Sequence, residues 1–173
     1  MRTGMAIFLT AAALAALPAP VQAADGERAL SLGLGYATYT QPGYNPHGAV
    51  LGMDFERGFS DALSWRVSGG AGAYYRDGLS FSGHLTIGLT YLFDVLKYVP
   101  YANVGIGGIV IGGDSGGGES DIDVSPLAEI GVGLDILRSR TASYGVYIRF
   151  ETLLQETSFL TAGVRSTWRW GFF

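Results

Sequence analysis

The chain alternates. From Arg28 to Tyr39 it runs RALSLGLGYATY, with Leu30, Leu32, Leu34 and Tyr36 at every second place and Ser31, Gly33, Gly35 and Ala37 between them. Successive side chains of an extended strand point to opposite faces, so this stretch has one greasy face and one small face. A helix would gather apolar residues every three or four positions, and beyond the N-terminal segment no such period is sustained.

Seven further segments repeat the pattern. Ala49–Phe59 sets Leu51, Met53 and Phe55 against Gly52, Asp54 and Glu56. Leu63–Tyr75 sets Trp65 and Val67 against Arg66 and Ser68, and Leu79–Phe93 sets Leu85, Ile87 and Leu89 against His84, Thr86 and Gly88. In Val99–Ile111, Val104 and Ile106 oppose Asn103 and Gly105; in Val124–Leu137, Ile130, Val132 and Leu134 oppose Glu129, Gly131 and Asp135. Ala142–Leu154 opposes Val146, Ile148 and Phe150 to Gly145, Arg149 and Glu151. Ser158–Phe173 opposes Val164, Trp168, Trp170 and Phe172 to Arg165, Thr167 and Arg169. Each segment is near or above the length that crosses a bilayer at a tilt. An even strand count is the rule for bacterial single-chain barrels. The expected fold class is therefore all-β: an eight-stranded antiparallel up-and-down transmembrane β-barrel over residues 24–173.

Period two does not say which face is inside. A soluble barrel of the lipocalin kind would put the apolar face at its core. Three features favour the inverse. Met1–Ala23 reads as a cleaved secretory signal, with Arg2, an apolar run from Met5 to Leu17, and small residues before a cut after Ala23. The polar face is built of Gly, Ser and a few Arg and carboxylates, and Lys97 is the only lysine, which makes a poor solvent face. Aromatics (Tyr36, Tyr39, Phe59, Trp65, Tyr75, Tyr91, Phe93, Tyr144, Trp168, Trp170) gather towards strand ends, as interfacial girdles do. The expected location is the outer membrane, with lipid and lipopolysaccharide as the surroundings. The absence of cysteine excludes disulfides and a lipid-anchored N-terminal cysteine. A net charge of −4 without a basic patch argues against nucleic acid.

With both chain ends on the periplasmic side, Gly58–Ala62, Asp94–Tyr98 and Arg138–Thr141 are the periplasmic turns. The outward loops are Thr40–Gly48, Arg76–Gly78, Gly112–Asp123 and Gln155–Thr157. The first and third of these are the longer and are where an extracellular ligand would be met. The lumen of so small a barrel is just filled by side chains. The inward set is Asp54, Glu56, Arg66, His84, Glu129, Asp135, Arg149, Glu151, Arg165 and Arg169, a near balance of opposite charges. Buried charges must pair. Folding a hairpin about Ser60 sets Asp54 opposite Arg66. Folding another about Arg140 sets Glu129 opposite Glu151, with Arg149 placed to bridge them.

Chemistry is sparse. The histidines are His47 and His84. His47, in PGYNPHG, could reach the outer leaflet, where a lipid-modifying enzyme would act, yet no Ser or acid stands at a telling spacing from it. In GGDSGGGESDIDV, Asp114, Glu119, Asp121 and Asp123 are weak candidates for a divalent cation. No cofactor is implied. The Gly-rich run after Gly105 opens no helix and is not a nucleotide loop.

The chain resembles the small eight-stranded outer-membrane barrels of the OmpA/OmpX-like superfamily. The resemblance rests on the signal segment, the eight amphipathic strands, YVPYANVGIG at Tyr98–Gly107, and the WRWGFF ending. It implies that Trp168, Trp170, Phe172 and Phe173 form the C-terminal signal read by the barrel assembly machinery, with Phe173 one step out of phase. The superfamily holds anchors, adhesins, pores and a few enzymes, so the fold does not choose among them. The favoured reading is non-enzymatic: a barrel plugged by its polar network, with a structural or surface-interaction role through its loops. The alternative is a narrow passive pore lined by Arg149 and Arg165, and, last, an outer-leaflet enzyme dependent on His47.

Overall fold

The structure, a computed structural model, describes residues 26–40, 46–75, 78–93, 97–114, 120–153 and 157–171. Its strands are β1 (Arg28–Thr40), β2 (His47–Gly58), β3 (Leu63–Tyr75), β4 (Leu79–Leu92), β5 (Tyr98–Asp114), β6 (Ser120–Leu137), β7 (Ala142–Leu153) and β8 (Ser158–Trp170). Each pairs antiparallel with its sequence neighbour, and β8 closes on β1, Arg28 facing Trp170. Closure leaves no edge along the wall of the barrel.

The sidedness is inverted relative to a soluble barrel. Leu34, Leu51, Leu85 and Ile106 are 59–69% exposed on the outer wall, whereas Ser31, Ser68 and Asp135 are fully buried inside. An apolar outer wall running round the whole barrel far exceeds the patches that soluble monomers show. Aromatics meet in tilted or edge-on pairs on this wall at the end where β1 begins and β8 finishes: Phe59 with Trp65, Tyr91 with Phe93, Phe55 with Trp170. Trp168 and Trp170 face outward here; Phe172 and Phe173 lie outside the described residues.

The terminal end is tied off tightly. Ser60 Oγ accepts the Leu63 N–H at 3.1 Å, and Ser139 Oγ accepts the Ala142 N–H at 3.1 Å, each closing a short turn. Gly171 leaves β8 at a φ of 85°, a left-handed conformation that a side chain resists. A Cβ there would come 3.2 Å from the Gly26 carbonyl, so the first and last described segments meet at this glycine.

The opposite, loop-bearing end differs from expectation. β5 continues to Asp114 and β6 begins at Ser120, paired residue for residue. The expected loop Gly112–Asp123 thus reduces to the connection between those two residues. Gly and Val-rich segments accept either state locally; the long ladder decides for strand.

Candidate functional site

Two groups of charges fill the lumen. In the middle, Asp54 accepts from two guanidiniums: Arg66 at 2.9 Å and Arg149 at 3.1 Å. Glu129 holds the same two, accepting from Arg66 Nη1 at 2.6 Å and lying 3.4 Å from Arg149 Nε. Thr86 donates to its other oxygen at 3.0 Å. Ser68 accepts from Arg149 at 3.3 Å. The four charges therefore form a closed ring across β2, β3, β6 and β7. His84 sits 3.5 Å from Arg149 and 3.7 Å from Glu151.

Nearer the terminal end, Arg165 donates twice to Asp135, at 2.8 and 2.9 Å, and lies over the Tyr101 ring. Arg169 reaches the same carboxylate at 3.1 Å, donates to Ser143 at 2.8 Å, and approaches Glu27 at 3.6 Å. Glu56 stands 3.8 Å from Arg165, with its Oε1 buried and without a hydrogen bond. All ten inward charges named from the sequence thus face the lumen and fall into these two groups.

The register differs from the hairpin estimate. Asp54 pairs with Ser68, and Glu56 with Arg66. The turn centres one residue later than Ser60, which shifts the pairing by two and keeps every face. Arg66 still reaches Asp54, because a long side chain spans the diagonal. Glu129 does face Glu151, as expected. Arg149 turns to Asp54 and Glu129, so it joins Glu129 to Asp54 and not to Glu151.

Sequence reading missed a third layer. At the loop end Tyr39, Tyr74 and Phe159 pack ring against ring, with centroids 4.9–5.9 Å apart. Val50, Ile109, Leu127 and Leu153 complete the layer, each at most 5% exposed. Tyr39 is therefore a lumen residue and not part of an outer girdle. The signal was present: all seven share strand parity with the inward charges and glycines.

The loop-end rim carries a step. β7 stops pairing with β6 at Leu127–Leu153, while β5 accompanies β6 on to Ser120. From Pro126 to Ser120, one edge of β6 has no strand beside it among the described residues. The Leu137 N–H donates to the Lys97 carbonyl at 3.0 Å, which turns odd-numbered β6 residues towards β5. Alternation then directs the backbone of Val124, Ile122 and Ser120 to the open edge. Pro126, which has no N–H, stands where the open edge begins, a usual place for proline in a sheet.

His47 is the first residue of β2, on the outer wall, and shares a 2.5 Å hydrogen bond with the Tyr36 hydroxyl. Of the cation candidates, the side chain of Asp123 alone is described. Glu119 lies outside the described residues. Asp114 ends β5, Asp121 and Asp123 lie in β6, and Asp123 accepts from Ser125 at 3.4 Å.

Solved structures with the same architecture include small barrels of bacterial outer membranes. Neisserial surface protein A superposes with a TM-score of 0.69 at 12% identity, over 85% of this chain and 99% of that one. The N-terminal β-barrel domain of Pseudomonas aeruginosa OprF gives 0.61 at 14% identity, over 84% and 98%. Ail, the attachment invasion locus protein of Yersinia pestis, gives 0.60 at 19% identity, over 85% and 100%. The fold is that of the small eight-stranded outer-membrane barrels. The outer-membrane enzyme PagL shares it as well, with a TM-score of 0.51 at 16% identity over 80% of this chain and 97% of that one. No protein-family model and no curated protein sequence matches the chain.

Proposed function

We propose that this chain is an integral outer-membrane barrel without catalytic activity, filled and closed inside, that acts at the cell surface by offering its loop end to a partner. The observation that supports it most is the step in the rim. Among the described residues β6 runs on past Leu153, the last residue of β7, with nothing paired to that edge, and an open edge is a template for another strand. If all eight strands ended level, the barrel would offer turns alone.

Charge narrows the partner. No Lys or Arg occurs between Lys97 and Arg138, while Asp114, Glu119, Asp121 and Asp123 all lie in the β5–β6 hairpin. A basic, extended segment of an extracellular protein suits both features. The lumen serves rigidity in this reading: paired charges and rings hold the wall against which the hairpin stands.

Val124→Pro tests it. The substitution removes an N–H from the open edge and leaves the bonds to β5 in place. The refolded protein in vesicles is mixed with an alternating Lys–Val peptide. Binding that falls with salt and disappears in Val124→Pro supports the reading. Binding that is unchanged in that variant, or no binding by the parent protein, overturns strand addition at this edge.

A further inference from the structure

We infer that Arg28 and Arg57 form a binding site for an anionic phospholipid, gripping the phosphodiester of one headgroup between them beside the seam where β8 closes on β1. The inference rests on the membrane placement proposed above and goes beyond it by assigning a ligand to the outer wall.

The outward residues of β1 from Leu30 to Tyr36, and of β2 from Ala49 to Phe55, carry no charge. The next outward residue towards the terminal end is an arginine on both strands. Arg28 and Arg57 lie directly opposite each other, and both are exposed. The Gly58 N–H donates to the Glu27 carbonyl at 2.8 Å and the Tyr39 N–H to the Pro46 carbonyl at 3.4 Å, so odd-numbered β1 residues bond to β2. Arg28 and Arg57 are therefore a non-hydrogen-bonded pair, the kind in which facing side chains stand closest. Like charges set opposite each other on a sheet are destabilising. Among the described residues no carboxylate pairs with either guanidinium, and Asp61, exposed in the β2–β3 turn, makes no ion pair. An anion held between the two arginines turns the repulsion into attraction.

The surroundings select the anion. Trp170 faces Arg28 from β8, and Trp65 faces Arg57 from β3. One outward row thus runs Trp170, Arg28, Arg57, Trp65 across four neighbouring strands, about 14 Å wide at the usual strand spacing. Phe55 and Phe59 flank Arg57 along β2 and meet Trp170 and Trp65, with centroids 6.4 and 5.6 Å apart. Tryptophans on a membrane wall sit at the level of the lipid headgroups. Phosphate is the anion at that level, and guanidinium forks match its oxygens two bonds at a time. A phosphate that already lies beside its own ammonium competes less well for the pair, so phosphatidylglycerol is preferred over phosphatidylcholine.

Trp65, Trp168 and Trp170 are the chain's tryptophans, and all face outward at this end. Their fluorescence reads the lipid beside the pair. The protein is refolded into phosphatidylcholine vesicles that carry a small fraction of lipid brominated near the headgroup. Brominated phosphatidylglycerol is expected to quench as strongly as brominated phosphatidylcholine does at about tenfold higher fraction. The preference is expected to fall at least threefold in Arg28→Gln and equally in Arg57→Gln, because one phosphate needs both. It is expected to persist in Arg138→Gln with Arg140→Gln, whose cations lie in a turn of the same end. Heat-modifiable gel mobility shows that each variant is folded. A parental preference in Arg28→Gln or in Arg57→Gln overturns the inference, as does an equal loss in the turn variant. Inorganic phosphate is expected to displace no more lipid than chloride of the same ionic strength; greater displacement makes free phosphate the ligand and overturns the lipid assignment. Equal quenching by the two lipids overturns this inference alone, whereas quenching by neither overturns the membrane placement and the inference together.

Discussion

Arg165 lies over Tyr101, its guanidinium carbon 3.7 Å from the ring centroid, while its fork grips Asp135. A planar cation between a ring and a carboxylate does what a lysine cannot. Arg165→Lys keeps the charge and loses both the second hydrogen bond and the stacking. Its urea unfolding midpoint in vesicles should fall by an amount equal to about 1–2 kcal/mol. An unchanged midpoint would mean that the fork contributes nothing.

Asp54 joins two arginines, so its removal should be felt by both. Asp54→Ala leaves Arg66 and Arg149 to share Glu129, and breaking a buried ionic group in this way costs about 3–5 kcal/mol. Arg149→Met in the same chain should recover part of that loss. A double-mutant cycle measures the coupling, and strictly additive losses would contradict the ring.

Two inward glycines separate packing from composition. A Cβ on Gly133 would enter the Tyr101 ring that Arg165 holds in place, whereas a Cβ on Gly52 meets only the Gly69 carbonyl at 3.9 Å. Gly133→Ala should lower stability by about 1–3 kcal/mol. Gly52→Ala should leave it nearly unchanged. Equal effects would show that the lumen is looser than the structure.

Leu34 faces outward near mid-height and is 59% exposed; Tyr75 faces outward at the loop-end rim. If lipid surrounds the wall, Leu34→Arg should cost about 2–4 kcal/mol and Tyr75→Arg about 0–1 kcal/mol in vesicles. Both should be harmless in a water-facing wall. Folding yield into vesicles of graded thickness reads the difference.

The alternation that dominates the sequence settled strand number, faces and the whole inward charge set, because facing depends only on parity. Register was less legible. Asp54 and Arg66 were expected face to face, yet Asp54 pairs with Ser68, since parity survives a shift of two and only the turn between Gly58 and Leu63 fixes which pairing holds. Tyr39 shows a different failure: its aromatic type and its place near a strand end suggested a girdle, while its parity with Gly35 and Ala37 put it inside. Parity outranks residue type, and applied to Val50, Ile109, Leu127, Leu153 and Phe159 it would have disclosed the apolar layer. The β6 step at Pro126 is not encoded in alternation at all. It follows from where the described pairing of β7 ends, at Leu153, which is a property of the ladder.

The most direct measurement is single-channel conductance of residues 24–173, refolded and placed in a planar bilayer. Silence is predicted, with heat-modifiable gel mobility showing that the barrel is folded. Steady openings would contradict a closed lumen and move the function to a pore lined by Arg149 and Arg165.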